Sequence, residues 1–553
     1  MIKTLLVGLD AACWEYIGPL LQAGRLPNLE MLISQGSSGT LRSVMPPITP
    51  AAWSSLVTGV NPGKHGIFEW VHRRREDYQF VPVNARQRFG TPIWRRLNAA
   101  GIRTGVVNIP LTFPVEKVDG FLLCGFSAPP GSRNLAYPPE VLDKVEAKFG
   151  SYRPDVEMPA EGHWSPEAYL TEREFQARLV RIAAHLAESH QVHVLIINLM
   201  LLDHANHTMH DFMMVEQAIV DTDTDLGFLL SEFAPDNVMV ISDHGSRRIK
   251  GVFLLGAWLA ENGYLSRAPR PFHEQSQVIN YLLTQWRNGS SSLLSRAQHR
   301  LMREFLLHVP SAFTSPLWSR LENAIPFSIM DAKTTNHFSP DKTRVFPPGS
   351  HRGNLTLNLI GREPQGIVLM DEKEALLEEI TTALKAVRDP ETNDPLFFDL
   401  HRPQNLYAGP FVEKAPDLIG DYYSSRWSVV SNLPGLHRRP WRYFLTGERW
   451  YGDHSRDGIY VLSGSTFRHQ SHRGLADLLD VPATLLYLYG VPQPDDYDGR
   501  SLQEVMLDGF IEHRPIRYQP GDERRIEVQE SQKIMVEEEE VMRRLRDLGY
   551  LDD

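Results

Sequence analysis

Three nearly continuous apolar runs, each followed by an aspartate, constrain the fold of this chain more than any other feature. The runs cover residues 3–9, 192–202 and 237–242, and they lead to Asp10, Asp203 and Asp243. Apolar residues at consecutive positions are typical of strands that are buried on both faces of a parallel sheet. Because helical segments separate the runs, the sequence predicts an α/β fold with a largely parallel central sheet flanked by helices. Ligands bind outside the carboxyl ends of such strands, so we expect the three aspartates to meet there.

Length and composition predict one large core with insertions. At 553 residues the chain is longer than a single hydrophobic core usually serves. Gly, Pro and polar residues dominate one stretch, and a second stretch carries amphipathic helical segments with scattered arginines. The predicted parts are a catalytic core at 1–261 and 336–522, a loop-rich insertion at 125–165, a helical cap at 262–335 and a charged C-terminal helix at 523–553.

The C-terminal helix also bears on partners. Its apolar residues would dock it on the core or on another subunit, which would make a homo-oligomer; these residues are Ile534, Val541, Leu545 and Leu548. The formal net charge of −11 argues against general binding of nucleic acid or of an anionic membrane surface. Small phosphorylated substrates stay compatible with this charge, because bound metal ions change the local sign.

Cysteine usage and hydropathy predict the compartment. Cys13 and Cys124 are the only cysteines, so the chain has no disulfide framework, and we expect a cytoplasmic protein. No apolar run approaches about 18 residues, so the sequence predicts no transmembrane helix.

Histidines near two of the aspartates suggest a metal centre. Asp203 and His207 are four residues apart, and on a helical turn they would point to one side. Asp243 and His244 are adjacent at a strand end. Carboxylate and imidazole ligands suit zinc or a similar transition ion. Two such groups suggest two ions, as in sites that stabilise both the attacking and the leaving oxygen at phosphorus. Spacing alone leaves two further ligands open, His204 and His210.

The stretch at 44–67 places a hydroxyl group at the start of a helix. Thr49 suits the N-cap, Pro50 suits the first helical position, and the apolar helix that follows is expected to end at Gly59. A helix N-terminus favours an anion, which suits a nucleophile that attacks phosphorus. A nearby metal would favour the alkoxide of this side chain. Read locally, Thr49 is only a helix cap.

Taken together, these motifs resemble the alkaline phosphatase superfamily, specifically its type I phosphodiesterase/nucleotide pyrophosphatase branch. The resemblance covers most of residues 1–505 and is weakest in the cap at 262–335. The motifs that carry it, in the order of the branch, are the strand ending at Asp10, Thr49 with Val57-Thr58-Gly59 and 62–67, Asp203-x-x-x-His207, Ser242-Asp243-His244-Gly245 and Gly452-Asp453-His454. Segments 361–366, 407–418 and 480–486 look like uncharacterised prokaryotic members of the branch.

The resemblance implies an alkaline-phosphatase-like core and a two-metal site. Zinc is the favoured ion and manganese is the alternative. Thr49 would be the nucleophile and would form a covalent phospho-threonine intermediate that water releases. One ion would be held by Asp203, His207 and His454, and the second by Asp10, Asp243 and His244. From local sequence alone, His454 would be a histidine of a surface loop.

One departure from the branch bears on the substrate. Nucleotide pyrophosphatases of this kind commonly carry an asparagine three residues after the nucleophile, and Ala52 stands there. Asn108, at a strand end, is a candidate for holding a phosphoryl oxygen, and its alternative role is to form a turn. Trp53 is expected in the core rather than stacked on a substrate. Lys64 and His65 are expected in a structural turn.

These observations predict a metal-dependent phosphoric ester hydrolase, phosphodiesterase-like, that acts on a small phosphorylated substrate. The alternatives are a phosphotransferase or mutase, a phosphomonoester or phosphonate hydrolase, and a non-catalytic scaffold stabilised by metal.

Overall fold

A nine-stranded sheet runs through the chain in a computed structural model. The described residues are 2–74, 78, 80–129, 131–154, 165–209, 211–266, 338–346, 353–431, 443–446, 452–469, 474–521 and 541–545. The predicted cap at 262–335 lies almost entirely outside these residues, and the division into domains stays a prediction. Within them, no helix is both long enough and apolar enough to span a bilayer.

The secondary structure alternates between strands and helices in its first half. The strands are β1 (Thr4–Leu9), β2 (Gly36–Arg42), β3 (Val71–Arg73), β4 (Phe80–Pro82), β5 (Thr104–Val107), β6 (Gly120–Leu123), β7 (Ala136–Tyr137), β8 (Val194–Leu199), β9 (Asn237–Ile241), β10 (Gly245–Arg248), β11 (Gly251–Leu254), β12 (Val345–Phe346), β13 (Asn354–Leu357), β14 (Asp399–His401), β15 (Leu418–Asp421), β16 (Trp427–Val430), β17 (Phe444–Thr446), β18 (Gly452–Ser455), β19 (Asp457–Gly464), β20 (Leu475–Asp477), β21 (Gln493–Pro494) and β22 (Tyr518–Gln519). The helices are α1 (Trp14–Gln22), α2 (Pro27–Ser34), α3 (Thr49–Thr58), α4 (Pro62–His65), α5 (Ile93–Ala99), α6 (Glu140–Phe149), α7 (Pro166–Ser189), α8 (Leu201–Thr208), α9 (Phe212–Phe233), α10 (Leu255–Glu261), α11 (Lys373–Lys385), α12 (Pro403–Leu406), α13 (Asp480–Leu488) and α14 (Asp508–Ile511).

The central sheet is largely parallel, which confirms the predicted fold class. Its strand order is β20-β2-β19-β9-β1-β8-β5-β6-β7. The strands β9, β1, β8, β5 and β6 are parallel neighbours, whereas β19 runs antiparallel to both of its neighbours. The carboxyl ends of β9, β1 and β8 therefore lie side by side.

Both faces of the sheet are buried, as the apolar runs predict. Along β1, Leu5, Val7 and Leu9 enter one hydrophobic cluster and Leu6 enters the other. The first cluster includes residues of α7 and α9, and the second includes residues of α3, α5 and α13. This period of two puts helices on each face of the sheet and leaves the strand ends for ligands.

A smaller sheet follows the undescribed cap region. Its strand order is β12-β13-β15-β14, and its pairs are antiparallel. With α11 it builds a third hydrophobic cluster, in which Leu355, Leu377 and Trp427 are buried together with Phe68 from the first half of the chain.

Two helices form where nearby glycine and proline residues would disfavour them. The helix α1 continues through Gly18 and Pro19, although a proline usually interrupts a helix. Pro19 and Glu15 both lie on the exposed side, where water can satisfy the carbonyl that the proline leaves without a donor. The stretch expected to be loop-rich contains α6, a ten-residue helix that buries Val141, Leu142 and Val145 in the core. The glycine and proline residues of this stretch lie outside α6, whose ten residues include neither.

The C-terminal helix is described only at 541–545, which is helical. Val541 and Leu545 are buried in a cluster with Trp70 and Phe126, so these two residues dock on the core. The other predicted contact residues, Ile534 and Leu548, lie outside the described residues.

Candidate metal centre

Three neighbouring strands bring the predicted aspartates to one edge of the sheet. Asp10 directly follows β1 and Asp243 is the second residue after β9. Asp203 was expected at the end of the strand that starts near 192, and this is wrong. The strand β8 ends at Leu199, and Asp203 lies in the first turn of α8. Since the apolar run continues from strand into buried helix, periodicity alone could not mark the change.

The first group of side chains combines α8 with β18. Asp203 Oδ1 lies 3.4 Å from His207 Nε2 and 3.8 Å from His454 Nε2. The two imidazole Nε2 atoms are 2.8 Å apart. Three donor atoms that converge in this way form a candidate site for one ion.

The second group lies between β1 and β9. His244 Nε2 is 3.3 Å from Asp243 Oδ2 and 3.6 Å from Asp10 Oδ1. Asp10, Asp243 and His244 offer ligand atoms within 4.8 Å of one another, and so do Asp203, His244 and His454. His244 thus borders both groups, which makes them two adjoining parts of one centre.

Thr49 lies at the start of α3, which packs on the face of the sheet opposite to α8. The helix α3 begins at Thr49 and its cap is Ile48, so the predicted capping role of Thr49 is wrong. Ile48 already has the extended conformation of a cap, with φ −133° and ψ 146°. The hydroxyl is therefore not used for capping, and Thr49 Oγ1 lies 3.2 Å from His244 Nε2. Thr49 is fully buried, and the amides of the first helical turn lie beside it.

His454 lies on a strand and not in the surface loop that local sequence suggested. The strand β18 pairs antiparallel with β10, and Ser246 is opposite His454. Arg247 holds this strand, because its Nη2 is 2.9 Å from Asp453 Oδ2 and its Nε donates to His454 O at 2.9 Å. Gly452 permits the close approach of α8, since a Cβ there would lie 2.0 Å from Asn206 Oδ1.

Two side chains that the sequence analysis did not assign to the site hold Asp10 in place. Trp53 Nε1 donates to Asp10 Oδ2 at 3.1 Å, and Asn198 Nδ2 donates to the same oxygen at 2.8 Å. Trp53 is fully buried in the core, as predicted, and carries this second role. Gly8 leaves room for both, because a Cβ there would lie 2.6 Å from Asn198 Oδ1 and from the Trp53 ring. The one sequence signal was a polar residue, Asn198, inside an apolar strand.

The electrostatics of the centre fit divalent cations. Asp10 Oδ1 and Asp243 Oδ2 are buried and accept no hydrogen bond among the described residues. Burial, together with the charges of Asp243 and Asp203, raises the pKa of Asp10 well above its usual value. Burial and the charge of Asp203 raise the pKa of Asp243 to about 7. Burial alone would raise the pKa of Asp203 as well, but His207 beside it lowers that pKa. Cations at these oxygens would replace the protons that this crowding of carboxyl groups otherwise favours.

The remaining candidates lie around the centre in different roles. His204 Nδ1 is 3.0 Å from Glu172 Oε1, whereas His207 is the histidine that meets Asp203 and His454. His210 lies outside the described residues. Asn108 follows β5 with φ +57°, and its Nδ2 donates to Asn198 O at 3.0 Å. This bond ties Asn108 to β8, the strand that pairs with β1 next to Asp10.

The segment after α3 is structural, as expected. Lys64 Nζ contacts Asp498 Oδ1. His65 Nδ1 accepts the amide hydrogen of Ile67 at 3.1 Å, so its Nε2 carries the proton towards Ser55 Oγ at 2.9 Å. Burial lowers the pKa of His65 to about 3. His65 is therefore a neutral donor and cannot act as a base for Ser55.

One family model matches the chain across most of its length. The family is described as Type I phosphodiesterase / nucleotide pyrophosphatase, and the match covers residues 4–434. This family is part of the alkaline phosphatase superfamily and normally uses divalent metals. Among curated proteins, no match to the chain was found.

Proposed function

Because the chain belongs to the type I phosphodiesterase/nucleotide pyrophosphatase family, we propose that it is a two-metal phosphohydrolase of phosphodiesterase-like activity with Thr49 as its nucleophile. The observation that carries the proposal is the position of Thr49. Its hydroxyl has no capping role and lies 3.2 Å from His244 Nε2, beside the two groups of candidate ligands.

The six candidate ligands fit a pair of divalent ions. We assign Asp203, His207 and His454 to one ion. Asp10, Asp243 and His244 would hold the other. Zinc suits this mixture of oxygen and nitrogen donors, and manganese is the alternative. When bound, the ions would favour the Thr49 alkoxide and stabilise negative charge at phosphorus.

The proposed reaction has two steps, and both take place at Thr49. Thr49 Oγ attacks phosphorus, so the bond from Oγ to phosphorus forms and the ester bond to the leaving group breaks. The Thr49 hydroxyl gives up its proton, and the departing oxygen takes up a proton to leave as the alcohol. Amides at the N-terminus of α3 face the developing charge of the phosphoryl oxygens. Water then attacks the phospho-threonine, which releases phosphate or a phosphomonoester and restores the hydroxyl. Thr49 is fully buried, which limits access of bulk water to this intermediate.

The substrate is a small phosphorylated molecule. The presence of Ala52 does not identify which class of phosphate ester it is. Ala52 is fully buried in the apolar cluster that includes Trp53 and supplies no amide, so preference for a nucleotide pyrophosphate is not supported at this position. Asn108 remains the candidate for a phosphoryl contact. A monoester or phosphonate hydrolase would use the same ligands, and rates on matched aryl monoester, diester and phosphonate substrates would rank these classes.

An alcohol could replace water as acceptor, which would make the protein a phosphotransferase or mutase. Product analysis with and without added alcohol separates the two, since transfer yields a new phosphoester. A non-catalytic scaffold is disfavoured because the buried Thr49 hydroxyl at His244 would have no use there. Less than one metal ion per chain together with no activity would support the scaffold.

The decisive experiment compares three variants on an aryl phosphodiester with zinc or manganese. Thr49→Ala should lower kcat by at least about 10³-fold with unchanged metal content, and Thr49→Ser should keep part of the activity. Thr58→Ala is the matched control, because Thr58 is a buried threonine at the other end of α3 that donates to Ser54 O. If Thr49→Ala and Thr58→Ala retain equal activity, Thr49 is not the nucleophile.

A cytoplasmic location is likewise proposed. Cys13 and Cys124 are buried free thiols, which suits a reducing compartment. Association through the C-terminal helix remains a proposal that rests on residues outside the described ones.

A further inference from the structure

A cavity of about 610 Å³ lies beside the segment that follows α4, away from the candidate metal centre. None of the six candidate ligands lines it, and neither does Thr49. Six of its described lining residues are arginine or lysine and three are glutamate, so the wall has a formal excess of three positive charges. The wall is therefore locally positive, whereas the formal net charge of the whole chain is −11.

The most unusual side chain in this wall is Arg88. Its residue is only 2% exposed, and no ion pair involves it in the described part of the chain. Its Nη1 donates to Leu111 O at 3.0 Å, while its buried Nε finds no hydrogen-bond partner among the described residues. Burial lowers the pKa of Arg88, although the charge of Glu116 acts in the opposite direction. Glu116 therefore offsets part of the cost of burying this charge, but it makes no direct ion pair with Arg88. A buried guanidinium without a carboxylate in direct contact is costly unless a bound anion compensates for it.

A second guanidinium and two aromatic rings complete the wall. Arg73 Nη2 is 2.7 Å from Glu363 Oε2, and its buried Nη1 has no hydrogen-bond partner in the part of the chain that the structure describes. Phe89 and Phe411 are half-buried, with ring centroids 5.6 Å apart. Their exposed parts offer an apolar surface next to the positive charge.

We propose that this cavity binds a small organic oxyanion, whose phosphate or carboxylate group contacts Arg88 while its apolar part lies against Phe89 and Phe411. The volume matches that of small-molecule sites, which combine apolar walls with a few polar groups. Guanidinium groups bind phosphate and carboxylate in the same planar geometry, so both sources share one chemistry. The site is separate from the metal centre and does not depend on the proposed hydrolysis.

Calorimetric titration of the full-length protein with phenylphosphonate tests the proposal, and benzoate forms a parallel arm. Each titration is run on metal-loaded protein and again after chelation, because binding at the metal centre requires the ions and binding in the cavity does not. We expect binding of at least one probe to persist after chelation. The probe that binds more tightly identifies the phosphoryl or the carboxylate source.

Variants locate this binding. Arg88→Met should weaken the chelation-resistant binding by at least about tenfold. Arg96→Met should change it by less than about twofold, since Arg96 is also buried and lies over the Tyr497 ring but does not line the cavity. Lys414→Glu changes an exposed residue at the cavity rim and serves if Arg88→Met does not fold. The proposal is overturned if neither probe binds the chelated protein. It is also overturned if folded Arg88→Met, or Lys414→Glu where Arg88→Met does not fold, binds the probe as tightly as the original protein, or if Arg96→Met weakens binding as much as the test variant does.

Discussion

The hydrogen bond from Trp53 to Asp10 provides the sharpest test of how the centre is held together. Trp53→Phe removes the indole N–H that donates to Asp10 Oδ2 at 3.1 Å and leaves the second donor, Asn198, in place. A hydrogen bond to a charged group contributes about 1.5–3 kcal/mol. At about 1.4 kcal/mol for each factor of ten, this predicts an affinity for the second ion that is lower by roughly 10- to 100-fold.

The assay must separate ligand support from simple loss of core packing. Trp94→Phe is the matched control, because Trp94 is fully buried in the same hydrophobic cluster and its Nε1 donates to Glu116 Oε1 at 2.7 Å. Both variants should lower the thermal unfolding midpoint of the metal-free protein, since each loses indole packing in the core. Only Trp53→Phe should weaken metal binding, measured by competition with a chelating dye, and lower kcat/KM on an aryl phosphodiester.

The role of Trp53 in holding Asp10 is refuted if the two variants lose similar stability and Trp53→Phe keeps the metal affinity and kcat/KM of the original protein. That result would mean that Asn198 alone fixes Asp10, and that Trp53 has the purely structural role that its sequence context suggests.

Two further variants test the strand that carries His454 and the buried turn after α3. Arg247→Lys should keep the buried positive charge next to Asp453 but lose the paired contacts of the guanidinium to β18. We therefore expect a folded protein whose kcat/KM is lower by at least about tenfold. An unchanged kcat/KM would contradict the role assigned to Arg247. His65→Gln should make stability less sensitive to acid: the pKa of His65 is lowered to about 3 in the folded protein, so the unfolded chain binds the extra proton below about pH 6.5, and stability falls as pH drops. From pH 7 to pH 5 the free energy of unfolding of the original protein should fall by about 2 kcal/mol through this histidine, and His65→Gln should not show this loss. Urea unfolding at several pH values measures it, and the same dependence of the unfolding free energy on pH in both proteins would contradict the prediction.

The sequence was most informative where a residue's chemistry and its place on a buried strand coincide. Asp10 and Asp243 follow strands that apolar periodicity predicts, so their meeting at the sheet edge could be foreseen. Asp203 does lie beside His207 and His454, but it reaches them from a helix and not from the predicted strand end. Its apolar run turns from strand into helix at Met200, and nothing in a continuous apolar run marks that turn.

The position of His454 could not be derived from local sequence. The strand β18 has four residues, Gly-Asp-His-Ser, which individually favour turns and loops over strands. It is a strand because β10 pairs with it and Arg247 crosses from that partner to Asp453. Both determinants lie some 200 positions earlier in the chain, beyond the reach of any local pattern. The resemblance to a known family supplied what the pattern could not.

The helix α3 couples the proposed nucleophile to the second group of candidate ligands through a single turn. Thr49 and Trp53 are four residues apart, so their side chains lie on one face of the helix. One contacts His244 Nε2 and the other contacts Asp10 Oδ2, and these two ligands belong to the same group. A shift of α3 would therefore move Thr49 Oγ1, the proposed attacking oxygen, and would disturb Asp10 at the same time. For this reason Trp53→Phe should lower kcat even at saturating metal, where weakened metal binding alone would have no effect.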